Sequence, residues 1–326
     1  FVPKNIRYES AERSVQKALD ETRAAEWNKY VKFGAAVPIR GEELRTLLDQ
    51  GHVPIPSQWV EIDKSEHKRG TPGYTPKSKS RLVACGNYEQ SDGLRSDAPT
   101  SDLETHHIVS AWAAQAGVPL QSSDISNAYF QAKPLDRVVI MRQPRGGVGG
   151  LEPGAMLLIR VPVYGLTDSG RGFYLRVDAE AATAGLHKSQ IFPAFYWAKE
   201  GDKVTGVLTT HVDDFLYAHF EHGRVIIGEL LSKFEVGTLE HTELRYCGKQ
   251  FTQDENFAVA LDVKDNTRKI SKIQIGPNRR NEDPVTKTEE GQLRSVIGSL
   301  SWVARQARPD LLYRVSKLQQ EVNGAT

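Results

Sequence analysis

The sequence predicts an α+β fold in which an antiparallel sheet carries a group of carboxylates. Three observations point there. Val204–Ala218 reads as two short β-branched and aromatic runs meeting at a tight turn that holds Asp213 and Asp214. A third carboxylate, Asp124, ends a short extended run, Pro119–Asp124, just before the turn formers Ser126 and Asn127. Strand and helix patterns also alternate along the chain without the regular βαβ rhythm of a doubly wound sheet. The 326 residues, 39% of them hydrophobic, are enough to bury a sizeable core.

In chain order, residues 8–30 carry a helical pattern with Val15, Leu19, Ala25 and Trp27 among charges, and a second helix is predicted from Gly41 to Asp49. A Pro-rich stretch then extends into Trp59-Val-Glu-Ile62. Next comes a turn-rich basic segment with Lys64, Lys68, Arg69, Lys77, Lys79 and Arg81, broken by Gly70, Pro72, Gly73 and Pro76. It reads as a hairpin with a basic tip, either a plain solvated loop or a finger that grips phosphates with Lys79 and Arg81 at its base. Ser101 or Asp102 caps the next helix, Gly117 stops it, and Ile108, Trp112 and Ala116 recur on one face. His106 and His107 on this helix read as ordinary helical residues rather than metal ligands.

Strands are expected at Val138–Met141 and Leu157–Val161, separated by a glycine-rich loop too irregular for a phosphate-cradling fingerprint. Tyr164–Arg171 leads into a helix that stops at Gly185. After the Asp213 hairpin come a helix from Gly223 to Phe234, a strand at Arg245–Phe251, and helices over Glu289–Arg305 and Pro309–Glu321. Between Lys264 and Arg280 six basic residues (Lys264, Arg268, Lys269, Lys272, Arg279 and Arg280) face one acid, Asp265, a local patch suited to a sugar-phosphate backbone.

The net charge of +1 announces no polyanionic partner for the chain as a whole. Two distant cysteines, Cys85 and Cys247, without a CxxC, argue against a disulfide framework or a zinc site and fit a reducing, intracellular setting. No run of about 18 apolar residues suggests a membrane span. The opening Phe1-Val-Pro-Lys and closing Asn323-Gly-Ala-Thr suggest a piece of a longer polypeptide.

Adjacent carboxylates between apolar strands repel each other and have raised pKa values unless a cation neutralises them, and Mg²⁺ is the natural ion for an all-oxygen site. If the Asp124 strand lies beside the hairpin, Asp124 and Asp213 can share two metal ions about 3.5–4 Å apart, the arrangement of in-line nucleotidyl transfer. An Asp-Asp pair at a solvated hairpin tip is the alternative, and residue chemistry alone leaves both open.

The chain resembles the reverse transcriptase of copia-type long-terminal-repeat retrotransposons along nearly its whole length. Trp59-Val resembles the lead-in to that family's fingers, and Lys79-Ser-Arg-Leu-Val-Ala-Cys-Gly86 its lysine-arginine strand. Ser123-Asp-Ile-Ser-Asn-Ala-Tyr-Phe-Gln131 is similar to the first catalytic motif of the palm. Tyr164-Gly-Leu with Arg171 and Phe173-Tyr174 is similar to the second, and His211-Val-Asp-Asp214 to the third. Tyr246-Cys-Gly248 looks like the primer-gripping turn, and Arg294–Leu300 with Ala307–Leu311 like the stretch leading toward an RNase H. The sequence departs from the family pattern at His211, where a tyrosine is usual, at Thr167-Asp-Ser-Gly170, where Lys-Gln-Ala-Pro is usual, and at Cys85, where a base is common.

The resemblance implies a right-hand polymerase fold of fingers, palm and thumb. Residues 1–58 would form a helical lead-in, 59–250 the fingers and palm, and 251–326 a thumb-like connection. It implies an RNA-directed DNA polymerase that extends a DNA primer on an RNA or DNA template from deoxynucleoside triphosphates. Asp124, Asp213 and Asp214 would hold two Mg²⁺ ions, with Mn²⁺ also suited to such ligands. Lys79, Arg81, Tyr129 and Gly165 would bind the incoming nucleotide, Tyr129 as the ring that collides with a ribose 2′-hydroxyl. His211, Tyr246 and Gly248 would contact the primer. RNase H and integrase segments of the same polyprotein would accompany it in an intracellular, cytoplasmic setting such as a virus-like particle, with access to the nucleus. Two readings stand beside this one: a non-catalytic nucleic-acid-binding remnant of the same fold, and a metal-dependent nuclease using His211, which strand alternation would put on the face of Asp213.

Overall fold

Asp124 and the Asp213-Asp214 pair do meet on one antiparallel sheet, and the rest of the secondary structure falls into place around two such frameworks. The computed structural model describes residues 5–65, 71–90, 93–278, 280 and 282–322. Lys68, Arg69, Gly70, Arg279 and the two chain ends, all named above, lie outside the described residues. The chain forms two compact units: Phe1–Pro99 with Ser126–Ala184 and Lys233–Glu235, and Thr100–Ile125 with Gly185–Ser232 and Val236–Thr326.

The first unit begins with helix α1 (Arg13–Lys32), whose inward side is Leu19, Glu26, Trp27 and Tyr30. Tyr30 is fully buried and donates its hydroxyl hydrogen to the Leu82 carbonyl at 2.8 Å, fixing the helix on the hairpin of β2 (Ser57–Asp63) and β3 (Ser78–Ala84). That hairpin pairs Ile62 with Lys79 and Val60 with Arg81, so both basic residues share one face. A second sheet runs in the order β1 (Ala36–Ile39), β6 (Met156–Ile159), β5 (Val139–Arg142), all antiparallel. Helix α2 (Gly41–Asp49) packs Leu44 and Leu47 on Ile39, Ile140 and Leu158 of this sheet. Helix α4 (Ser169–Thr183) completes the unit.

The second unit is built on six antiparallel strands in the order β11 (Val236–His241), β4 (Gln121–Ile125), β10 (Asp214–His219), β9 (Lys203–His211), β8 (Phe195–Glu200), β7 (His187–Lys188). Helices α3 (Leu103–Ala116) and α5 (Glu221–Ser232) cover it. Gly117 takes the left-handed conformation at φ 64°, ending α3 as glycine is suited to do. The fully buried side of α3 is Thr105, His106, Val109 and Ala113; of the expected stripe, Trp112 and Ala116 pack partly buried against the same core, while Ile108 stays 40% exposed. Thr105 and His106 find polar partners on the sheet and beyond it, so two polar residues are buried without an unmet hydrogen bond.

The expected single strand over Arg245–Phe251 is a hairpin instead. Strand β12 (Glu243–Tyr246) turns at Cys247 and Gly248, both at positive φ (49° and 76°), into β13 (Lys249–Gln253), which pairs with β14 (Val259–Asp262). Two consecutive positive φ values are the requirement of a type I′ hairpin, and Gly248 meets it without steric cost. A short helix α6 (Lys264–Arg268) follows. Then α7 (Lys287–Ala307) is started by a capping box between Thr286 and Glu289, and α8 (Leu312–Glu321) ends the described chain. Among the described residues no helix is long and apolar enough to cross a membrane. Cys85 and Cys247 are both free.

Candidate active site

The carboxylates lie where three strand ends meet. On β10, Asp214 stands directly opposite Asp124 of β4 on one side and His211 of β9 on the other. The Ile125 amide donates to the Asp213 carbonyl at 2.8 Å, pinning the hairpin tip to the end of β4. Val212 and Asp213 form the two-residue turn, with Val212 at φ 56°. A β-branched residue in that region is a strained placement, held by the ladders on both sides. Asp214 is therefore the first residue of β10 rather than part of the turn. The turn also breaks the alternation that was to place His211 with Asp213: His211 pairs with Asp214 instead, because the strand does not run through Val212.

Burial, and then the neighbouring Asp213 and Asp124, push the Asp214 carboxyl up to about 6. All three carboxylates are half-buried. Among the described residues no three His, Cys, Asp or Glu side chains converge as a ready-made metal cluster. The fit to a hard cation is one of donor chemistry and charge: three oxygen donors on adjoining strand ends, one with its carboxyl pushed above the ordinary range by burial and then by the other two, a penalty a divalent ion offsets.

Beneath the hairpin is a network that the sequence reading missed. The Lys249 ammonium, 1% exposed, donates to Nδ1 of His106 and to Oε1 of Gln306 at 2.9 Å. His106 Nε2 lies 2.9 Å from Ser101 Oγ, the Tyr246 hydroxyl donates to the same oxygen at 3.0 Å, and His211 Nδ1 lies 3.4 Å from it. Burial, then Lys249 and His211, bring His106 down to about 3, so the ring is neutral. Burial lowers Lys249 to about 8 and raises the Cys247 thiol to about 11. The sequence holds one clue. Phe251 faces inward, so the period of two also turns Lys249 inward, and a buried lysine needs partners.

In the first unit, Arg81, Tyr129 and Gly165 gather around Tyr164, and Lys79 lies near Arg81 on the same face of β3. The Arg81 guanidinium sits 4.7 Å from the Tyr164 ring centre, and Tyr129 meets the same ring edge-on at 5.2 Å. Lys79 is lowered by burial, then by Arg81 and Lys64. Gly165, at φ 94°, leaves no room for a Cβ: one would strike the Ala84 carbonyl and come within 2.6 Å of Val83 Cγ1. Ala84 and Gly86 donate to the carbonyls of Tyr164 and Gly165 at 2.8 and 3.2 Å, so this glycine permits backbone to lie on backbone.

The acid introduced at Asp168 is neutralised. Arg137 holds it with two hydrogen bonds, 2.8 and 3.0 Å, and holds Glu89 at 2.7 Å. Arg171 is tied to Asp97 at 2.9 Å. The basic patch is also less bare than its sequence count. Lys264 pairs with Asp262 at 3.1 Å, a residue just outside the counted window, and Asp265 takes Arg245 and Arg268. With Gly248, Lys249 and Lys269 these line a concavity of about 350 Å³.

One sheet thus brings Asp124, Asp213 and Asp214 to adjoining strand ends, with the Tyr246-Cys247-Gly248 turn in the same unit. The chain belongs to the reverse transcriptase (RNA-dependent DNA polymerase) family, whose model matches residues 46–286, a span that holds the three carboxylates, Lys79, Arg81, Tyr129, Gly165, His211, Tyr246 and Gly248. Curated relatives include the retrovirus-related Pol polyprotein from transposon RE2 of Arabidopsis thaliana, 26% identical over 283 residues, covering 79% of this chain and 19% of the relative. Another, from transposon TNT 1-94 of Nicotiana tabacum, is 22% identical and covers 82% of this chain and 22% of the relative. The chain thus spans about a fifth of the length of these relatives. Among solved structures, telomerase from Candida albicans aligns with 92% of this chain and 59% of its own at a TM-score of 0.47 and 9% identity. Reverse transcriptases use divalent metal ions.

Proposed function

We propose that this chain is the fingers-and-palm portion, with residues 251–326 leading into a thumb, of a retrotransposon reverse transcriptase that extends a DNA primer on an RNA or DNA template. The single observation that carries the reading is the registered pairing of Asp214 with Asp124 next to Asp213, inside a chain of the reverse transcriptase family.

Asp124, Asp213 and Asp214 would hold two divalent ions, Mg²⁺ or Mn²⁺. When bound, such ions lower the pKa of the primer 3′-hydroxyl and neutralise the leaving pyrophosphate. The chain's own contribution is placement. Lys79 and Arg81, on one face of β3, take the triphosphate, Arg81 being steadied by its cation–π contact with Tyr164. Tyr129, wedged on the same tyrosine, is a rigid ring suited to exclude a ribose 2′-hydroxyl. Gly165 lets the chain approach the base pair as closely as it approaches β3. His211, Tyr246 and Gly248 meet the primer, and the exposed Lys269 and Lys272 add charge for the backbone. RNase H and integrase segments of the same polyprotein are further partners in this reading. Pairing of Asp168 with Arg137 supports an intact nucleotide region despite the departure at 167–170.

Primer extension on an RNA template in Mg²⁺ or Mn²⁺, beside Asp213→Asn, tests the proposal. Extension lost in the variant supports it; salt-sensitive binding of primer-template without extension assigns the chain as a non-catalytic remnant.

A further inference from the structure

A lysine with no exposed surface to speak of, a histidine and a serine lie in line between the Tyr246–Gly248 turn and the carboxylate hairpin, and none of them belongs to the metal or nucleotide residues. We propose that Ser101, His106 and Lys249 are positioning residues that fix His211 as its Nε2–H tautomer and lock the Tyr246–Gly248 turn into the same frame. The inference rests on the polymerase reading for its consequence, but not for its geometry.

Donor counting carries it. An ammonium has three donors and no acceptor, so at His106 Nδ1 the ring must accept from Lys249. Its proton is then on Nε2, and that N–H donates to Ser101 Oγ at 2.9 Å. Tyr246 donates to the same oxygen at 3.0 Å, a shorter link than that to the Thr209 carbonyl at 3.4 Å and to a better acceptor than the Cys247 sulfur. Both acceptor sites of the Ser101 hydroxyl are now filled, and one proton remains to be placed. Its acceptors are His211 Nδ1 at 3.4 Å and the weakly accepting Cys247 sulfur at 4.0 Å. The nitrogen is nearer and better. His211 Nδ1 therefore accepts, and Nε2 carries the ring hydrogen as a donor for an oxygen of the nucleic acid.

The same residues hold the turn. Tyr246 and Lys249 flank Cys247-Gly248 as a directly opposed pair, one bonded to Ser101 and the other to His106 and Gln306. The His106 ring meets Tyr246 edge-on at 4.9 Å. Asn266 donates to the Gly248 carbonyl at 3.1 Å, and the Trp302 ring lies 3.5 Å from where a Cβ on Gly248 would stand, an ordinary van der Waals contact. One serine hydroxyl thus joins α3, the tip of β9 and the β12–β13 turn.

The test reads the tautomer directly. Long-range ¹H–¹⁵N correlation spectra of the histidine-labelled chain at pH 7.5, with the His211 signals assigned by their loss in His211→Asn, are expected to show the proton on Nε2. Ser101→Ala and the near-isosteric Lys249→Met are expected to give a mixture of tautomers, and Ser101→Thr, which keeps the hydroxyl, to retain the wild-type pattern. A proton on Nδ1 in the wild type, or spectra unchanged in both Ser101→Ala and Lys249→Met, overturns the proposal. The wild-type spectrum decides even if a variant does not fold, and it needs no turnover, so an inactive polymerase leaves the result intact. In an active chain, Lys249→Met is expected to raise KM for primer-template about tenfold, the loss of roughly one hydrogen bond, with KM for the nucleotide unchanged.

Discussion

Replacing Asp214 by Asn should stabilise the metal-free protein at neutral pH. The Asp214 carboxyl stands at about 6 against an ordinary 3.8, a shift that corresponds to about 3 kcal/mol at 1.36 kcal/mol per unit. Asp214 keeps contact with solvent, so screening reduces this to about 1–2 kcal/mol. Between pH 4 and 6 the folded chain retains a proton that the unfolded chain has released. The contribution therefore favours folding at acid pH and is lost as pH rises through about 6. At pH 7.5 the variant gains that amount, about 2–8 °C in Tm at 2–4 °C for each kcal/mol in a domain of 150–250 residues. Mg²⁺ at ten times its dissociation constant should recover about 1.4 kcal/mol for the wild type and markedly less for the variant. Thermal unfolding at pH 5 and 7.5, with and without Mg²⁺, measures all four terms. A variant less stable than wild type at pH 7.5 without metal, with the same response to Mg²⁺, refutes the reasoning that these carboxylates repel one another and share a cation.

Three further outcomes follow from the packing. Gly165→Ala forces a Cβ against the Ala84 carbonyl at a φ that only glycine adopts readily, and should cost at least about 3 kcal/mol in urea unfolding. Arg137→Met leaves the largely buried carboxylates of Glu89 and Asp168 without their cation and should cost about 2–4 kcal/mol, with partial recovery in R137M/D168N. Tyr129→Ala should lower the preference for deoxyribonucleotides over ribonucleotides at least tenfold in kcat/KM, whereas an unchanged ratio places the discriminating ring elsewhere.

The sheet that carries the carboxylates was legible because its signals are local. β-branched runs flanking Asp213-Asp214, and a short strand ending at Asp124 before Ser126-Asn127, each declare themselves within a few residues. Helix α2 and the stop of α3 at Gly117 were legible for the same reason. What escaped depends on partners remote in sequence. His106 reads as an ordinary helical residue until Lys249, 143 positions later, is placed against it. Asp168 reads as a stray acid until Arg137 closes on it. The β12–β13 hairpin was misread as one strand because a Cys-Gly turn is a weaker signal than Asn-Gly, although Gly248 supplies the same positive φ.

The central claim is that these three carboxylates carry templated nucleotidyl transfer. Single-nucleotide incorporation on RNA templates presenting each of the four bases, in Mg²⁺, tests it most directly when primer-template affinity is measured alongside. The account predicts incorporation of the complementary deoxynucleotide alone, and a loss of at least about a thousandfold in Asp124→Asn and Asp213→Asn with affinity for primer-template retained. Incorporation that persists in these variants, or a wild-type chain that binds primer-template and adds no nucleotide, contradicts it.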